Sequence, residues 1–213
     1  MAAVDTGVLV DWITRYREAV TAQRDWLTEL DSAIGDADHG ANMARGFAAV
    51  GEKLAAGAPG TIDELLKTVG MTLVSSVGGA SGPLYGTFFL RMGMNAGAVA
   101  ELDGPALAAA LRAGLEGIVA RGKPEAGDKT MYDAMAPAVD AFDAALAAGS
   151  ALPDAARAAA DAAAAGRDAT LPLVARKGRA SYLGERSAGH LDPGAASTAI
   201  LFETLAAAVA DSA

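Results

Sequence analysis

The chain of 213 residues contains no cysteine. That removes disulfide scaffolds, thiolate zinc sites, iron–sulfur clusters and cysteine nucleophiles from consideration. Aromatic residues are only 5% of the chain, and the β-branched and aromatic clusters that mark strands are scarce, so an all-β fold is not expected. Basic residues are in deficit, 17 Lys and Arg against 26 Asp and Glu, for a net charge of −9. Such a chain repels polyphosphate backbones and anionic lipid surfaces at long range, which argues against nucleic-acid and membrane partners. No apolar run approaches the roughly 18 residues of a membrane span. The longest Ala-rich stretches are broken by Asp140, Asp143, Arg157, Asp161 and Arg167. Met1 to Val10 carries Asp5 and no basic residue, unlike a secretory signal. These absences fit a cytoplasmic protein.

Alanine, by contrast, is about a quarter of the chain, and it is the strongest helix former. With 52% hydrophobic residues, there is ample material for one core. Glycine and proline divide the chain into eight helical pieces. They cover roughly 5–30, 39–55, 61–77, the stretch after Pro83, 103–122, 130–148, 153–174 and 193 to the tail. Thr61 and Glu64 have capping-box spacing, and Pro137 should kink the sixth helix. Short connections make neighbours antiparallel. The expectation is an all-α, single-domain barrel or bundle of eight up-and-down helices over 1–213, with no strand.

The connection Asp31-Ser-Ala-Ile-Gly-Asp36-Ala-Asp38-His39-Gly40 packs three carboxylates into a short span. Like charges this close repel unless a cation lies between them. Hard oxygen ligands suit Mg²⁺ or Ca²⁺. An EF-hand fails, because counting from Asp36 puts Phe47 where a bidentate Glu is required. Mg²⁺ shared with a phosphate ligand fits better. Helix capping explains any one of these aspartates alone, but not the glycine-flanked triple. His39 and His190 are the only histidines; neither has a His partner nearby, so a zinc hydrolase site is not expected.

Val77-Gly-Gly-Ala80-Ser81-Gly82-Pro-Leu-Tyr-Gly86 offers backbone N–H groups beside a helix start, which suits phosphate. It is neither a Walker A nor a dinucleotide fingerprint; alone it reads equally as a helix–helix turn. Basic residues of Arg176–Arg186, with Lys123 and Lys129, offer local charge for an anion. In an up-and-down bundle, connections one, three, five and seven lie at one end. All four unusual loops belong to that set. Carboxylates, glycine backbone and basic side chains then converge on one mouth, as a Mg²⁺–nucleotide polyphosphate requires.

Together, Leu30-Asp31-x-x-Ile34-Gly35-Asp36-Ala37-Asp38-His39-Gly40-x-Asn42-Met43, Gly79-Ala80-Ser81-Gly82-Pro83-Leu84-x-Gly86, Gly127-Asp128-Lys129-Thr130-Met131, Arg176 through Gly184 and His190-x-Asp192-Pro193-Gly194 resemble the L-subunit family of dihydroxyacetone kinases. The resemblance spans essentially the whole chain. It implies an eight-helix barrel with the nucleotide at one end and two Mg²⁺ ions bridging its phosphates on Asp31, Asp36 and Asp38. It also implies ADP or ATP contacts from His39, Gly40, Ala41, Asn42, Ala80, Ser81, Gly122, Met131, Arg179, Asp192, Pro193 and Gly194. Met131 would pack on the adenine and Arg179 would steady developing charge, making Arg179 catalytic together with the three aspartates.

In the family's phosphotransferase-system type, a phosphohistidine protein, the M subunit, rephosphorylates ADP held on the L subunit. The L subunit then passes the phosphoryl to dihydroxyacetone on the K subunit. Absence of a K domain here favours that type. The alternatives are an ATP-dependent short-ketose kinase, acting on dihydroxyacetone or erythrulose, and a nucleotide-loaded regulator of a transcription factor. A fatty-acid kinase would call for further domains.

Overall fold

A computed structural model describes residues 3–57 and 59–212; the extreme ends of the expected 1–213 domain lie outside them. Helices α1 (Thr6–Ala22), α2 (Arg24–Ile34), α3 (His39–Ala55), α4 (Ile62–Ser76), α5 (Ser81–Ala96), α6 (Gly104–Gly122), α7 (Tyr132–Ala147), α8 (Leu152–Ala169) and α9 (Pro193–Asp211) carry the fold. Asp5, Asp103 and Asp192 start α1, α6 and α9. Their carboxylates accept the N–H groups of Val8, Ala106 and Ala195 at 2.9, 2.9 and 2.7 Å, satisfying donors that a helix start leaves free. Thr61 stands before α4, but its hydroxyl donates to Asp63 Oδ1 at 2.6 Å and caps nothing. The expected capping box does not form.

Each helix packs on the next around a closed ring, α1 on α3, then α4, α5, α6, α7, α8 and α9, and α9 returns to α1. Helix α2 follows α1 across a break at Gln23 (φ −99°, ψ 14°) and packs on α3 and α9. The first expected helix is thus two: eight helices form the ring and α2 lies beside it, nine α-helices among the described residues. Gln23 carries neither glycine nor proline to announce the break. Contrary to the strand-free expectation, β1 (Val4–Asp5) and β2 (Glu101–Leu102) pair antiparallel, Val4 opposite Leu102.

Most of the few aromatics gather at the centre. Tyr16 meets Phe47 edge-on at 4.6 Å, and Phe88 meets Phe89 at 5.3 Å. Trp12 Nε1 donates to the Leu201 carbonyl at 2.9 Å. The alanine excess explains close helix packing. Helix α8 buries Ala155, Ala156, Ala159, Ala160 and Ala163 between α7 and α9. At Gly166 a Cβ would stand 2.2 Å from the Asp133 carbonyl of α7, so only glycine permits that approach. Helix α9 is long and apolar enough to cross a membrane by length and composition, a feature hidden by its interleaved Ser and Thr, yet 78% of its apolar window is buried inside the protein. It is the core helix.

Candidate functional site

Antiparallel succession places the α2–α3, α4–α5, α6–α7 and α8–α9 connections at one end of the ring. All four border a single cavity of about 350 Å³. The parity expected from the order of loops is the arrangement observed.

The acidic wall comes from the end of α2. The buried Asp31 carboxylate turns toward the start of α3, where its Oδ2 accepts the N–H groups of Asp38 (2.8 Å) and His39 (3.1 Å). Ala37 takes a left-handed φ of 60° to make that turn. One carboxylate oxygen each of Asp31, Asp36 and Asp38 lies within 4.8 Å of the others. Gly35 has no side chain to intrude, since a Cβ there would stand 2.0 Å from Asp31 Oδ1. A trio of hard oxygen donors at this spacing suits a small divalent cation.

Opposite stands the α8–α9 connection, which carries a 3₁₀ segment, Arg179–Ser187, kinked at Gly184 (φ 55°, ψ −132°). Arg179 Nη2 meets Asp36 Oδ2 at 3.0 Å across the mouth. Ala175 and Ala180 pack with Ile34, tying this wall to the end of α2. The segment also leans on the α6–α7 connection. Lys129 Nζ donates to the carbonyls of Leu173, Ser187 and His190 at 3.0, 2.6 and 2.6 Å, and Lys177 Nζ donates to the Gly122 carbonyl at 3.2 Å.

The cavity floor is a buried polar chain. His39 Nδ1 lies 3.2 Å from Ser81 Oγ and its Nε2 lies 2.9 Å from Ser197 Oγ. The Tyr85 hydroxyl reaches Ser197 Oγ at 2.7 Å and Thr198 Oγ1 at 3.0 Å. Burial pushes the His39 imidazole below its usual pKa against the pull of Asp31 and Asp38, so the neutral ring is favoured. Asp192, at the start of α9, is pushed by burial up to about 7; the Ala195 N–H and Lys129 oppose the rise, while Asp133 and Asp31 add to it.

Of the residues expected at the site, Asp31, Asp36, Asp38, His39, Ala80, Ser81, Gly122, Met131, Arg179, Asp192, Pro193 and Gly194 line the cavity. Gly40, Ala41 and Asn42 do not. Gly40 is pressed against α2, where a Cβ would stand 2.0 Å from the Arg24 carbonyl. Ala41 faces outward, and Asn42 Oδ1 accepts from Arg45 at 2.6 Å. Sequence reasoning missed Tyr85 and the burial of Lys129, both in the lining. Leu84, Ile118, Pro124 and Tyr132 add an apolar wall beside Met131, suited to a flat ring.

Fold and site define an all-α barrel that brings a carboxylate trio, a glycine loop and an arginine to one open end. The chain belongs to the DAK2 domain family, whose match runs over residues 33–207. It is 47% identical to the ADP-binding subunit of the PEP-dependent dihydroxyacetone kinase of Escherichia coli (strain K12), covering 94% of this chain and 95% of that one. It is 45% identical to the ADP-binding subunit of the PTS-dependent dihydroxyacetone kinase of Lactococcus lactis subsp. lactis (strain IL1403), over 99% of this chain and 100% of that one. Among solved structures, it superposes on the dihydroxyacetone kinase from C. freundii in complex with AMP-PNP and Mg²⁺. The TM-score is 0.68 at 29% identity, over 95% of this chain and 33% of that longer one.

Proposed function

We propose that the chain is the nucleotide-binding subunit of a PEP-dependent dihydroxyacetone kinase. It holds an adenine nucleotide in the cavity, receives a phosphoryl group onto it from a phosphohistidine protein of M-subunit type, and delivers that group to dihydroxyacetone on a K subunit. The product is dihydroxyacetone phosphate. The observation that carries this reading is the convergence of the three carboxylates, the Ala80–Ser81 loop and Arg179 on one cavity, in a chain 47% identical to an ADP-binding subunit.

The residues present fit Mg²⁺ and a diphosphate. Asp31, Asp36 and Asp38 would hold the metal, as two ions, through hard oxygen atoms with no thiolate or imidazole pair to favour a softer ion. When bound, Mg²⁺ supplies neutralisation of phosphate charge and orientation for in-line transfer. Main-chain N–H groups at Ala80 and Ser81 would take phosphate oxygens at the start of α5. Arg179 would steady charge developing on the transferred group. Met131 would pack on the adenine, with Gly122, His39 and the Asp192–Gly194 corner closing the remaining sides. Positions 1–213 form one nucleotide domain in this reading, acting in the cytoplasm without nucleic acid or membrane.

The test is reconstitution. The chain is mixed with a K subunit, dihydroxyacetone and either a PEP-driven phosphohistidine relay or free ATP, and dihydroxyacetone phosphate is measured. Turnover with the relay is expected. Turnover with ATP alone would instead support an ATP-dependent short-ketose kinase, and none with either donor overturns the kinase reading.

A further inference from the structure

Lys129 is the most deeply buried lysine among the described residues, 1% exposed, and none of the ion pairs among them includes it. Its three protons are all used on main-chain carbonyls, those of Leu173, Ser187 and His190. These acceptors lie on either side of, and within, the 3₁₀ segment that carries Arg179. The neighbouring main chain repeats the link, the Arg176 N–H donating to the Asp128 carbonyl at 3.0 Å. Lys129 itself holds a left-handed φ of 64°, a conformation that costs a non-glycine residue energy and persists where surroundings enforce it. Inside the segment, Ser187 Oγ accepts from the Ala175 N–H at 2.9 Å and donates to the Gly184 carbonyl at 2.6 Å.

Three carbonyls converging from separated points of one loop need a compact cation with three divergent donors. An ammonium matches them, whereas a planar guanidinium presents its donors in a flat fork. A buried charge left without those partners is costly, so the loop and the lysine hold each other in place.

We propose that Lys129 is a positioning residue: it clamps the 170–192 connection so that Arg179 stands across the cavity mouth from the carboxylate trio, and it thereby sets how long nucleotide is held. The idea rests on the nucleotide-binding reading above, but the clamp itself has a separate readout. Arg176, Lys177, Arg179 and Arg186 all lie in the clamped loop, which makes trypsin a probe of its closure.

The experiment compares full-length wild type, Lys129→Met, Lys129→Arg, Ser187→Ala, Arg179→Ala and the Lys129→Met/Arg179→Ala double variant. Release of a fluorescent ADP analogue with Mg²⁺ is followed by stopped flow, and cleavage in the loop is followed by mass spectrometry. Lys129→Met and Lys129→Arg are expected to release nucleotide roughly ten- to a hundredfold faster, the factor one charge-assisted hydrogen bond supplies. The double variant should be no faster than the worse single one, because Lys129 acts through Arg179. Loop cleavage should quicken in Lys129→Met while the helical circular dichroism is kept. Should Lys129→Met not fold, Ser187→Ala loosens the same loop and is expected to shift both readouts in the same direction.

Multiplicative effects in the double variant, or wild-type behaviour of Lys129→Arg, would overturn the proposal. If wild type binds no Mg²⁺–ADP, the functional reading fails, yet the trypsin comparison still decides on the clamp: unchanged cleavage overturns it and faster cleavage supports it.

Discussion

Asp31 and Asp36 make the same proposed contact with metal but sit differently in the fold, and that difference is measurable. Asp31 is buried and accepts two main-chain N–H groups at the start of α3. Asp31→Ala removes a charged acceptor from both donors and a favourable charge from the helix start. Charge-assisted hydrogen bonds contribute about 1.5–3 kcal/mol each, and water at the cavity rim recovers part, so the loss is about 2–4 kcal/mol. For a chain of this size that lowers the melting temperature by roughly 5–15 °C. Asp36 pairs with Arg179, whose side chain is 68% exposed, and an exposed ion pair contributes about 0–1 kcal/mol. Without metal, relief of the repulsion among the three carboxylates offsets part of that small loss, so Asp36→Ala should melt within about 4 °C of wild type.

The assay is thermal unfolding by circular dichroism on nucleotide-stripped protein in EDTA, repeated with Mg²⁺ and ADP. Without ligand, only Asp31→Ala should fall. With ligand, wild type should gain stability and neither variant should. Equal melting of wild type and Asp31→Ala in EDTA would refute the capping argument. Full ligand-induced stabilisation of Asp36→Ala would refute its place in the metal site.

Three further outcomes follow from named contacts. The Asp192 carboxyl, raised by burial from its ordinary 3.8 to about 7, binds its proton more tightly folded than unfolded, so its contribution to stability declines as pH rises from about 4 to about 7. Asp192→Asn keeps an N-cap acceptor, and without ligand it should gain on wild type at pH 8 but not at pH 4 in urea titrations. Gly166→Ala sets a Cβ against the Asp133 carbonyl. It should cost about 2 kcal/mol or more, against the small gain that Gly→Ala brings in an unobstructed helix. Tyr85→Phe strips the buried chain of a hydroxyl shared by Ser197 and Thr198. A loss of about 1–2 kcal/mol by chemical denaturation is expected, with nucleotide release faster as His39 loses support through Ser197.

Much of this architecture was legible in the order of residues. Helix α3 runs from His39 to Ala55 as expected, because its glycine-rich start and apolar stripe of Met43, Phe47 and Val50 are local signals. Loop parity was legible too, since it depends only on counting helices joined by short connections. The Gln23 break was not, as no turn-forming residue marks it, and counting α1 and α2 as one left the parity intact. The role of Lys129 was invisible for a different reason. Its acceptors lie 44 to 61 residues away, so it reads as one more charge in a solvated loop. Asn42 shows another limit of local reading: its amide lies under the glycine loop, where a Cβ on Gly78 would stand 3.0 Å from its Oδ1, and accepts from Arg45.

The central claim is that the carboxylates, glycine loop and basic wall hold a Mg²⁺–adenine nucleotide. Its most direct test is to purify the chain in Mg²⁺, denature it, and quantify nucleotide in the supernatant by chromatography. About one ADP per chain is predicted, falling to background for Asp36→Ala. A wild-type supernatant free of nucleotide, from protein that also fails to bind added ADP or ATP with Mg²⁺, would contradict the account.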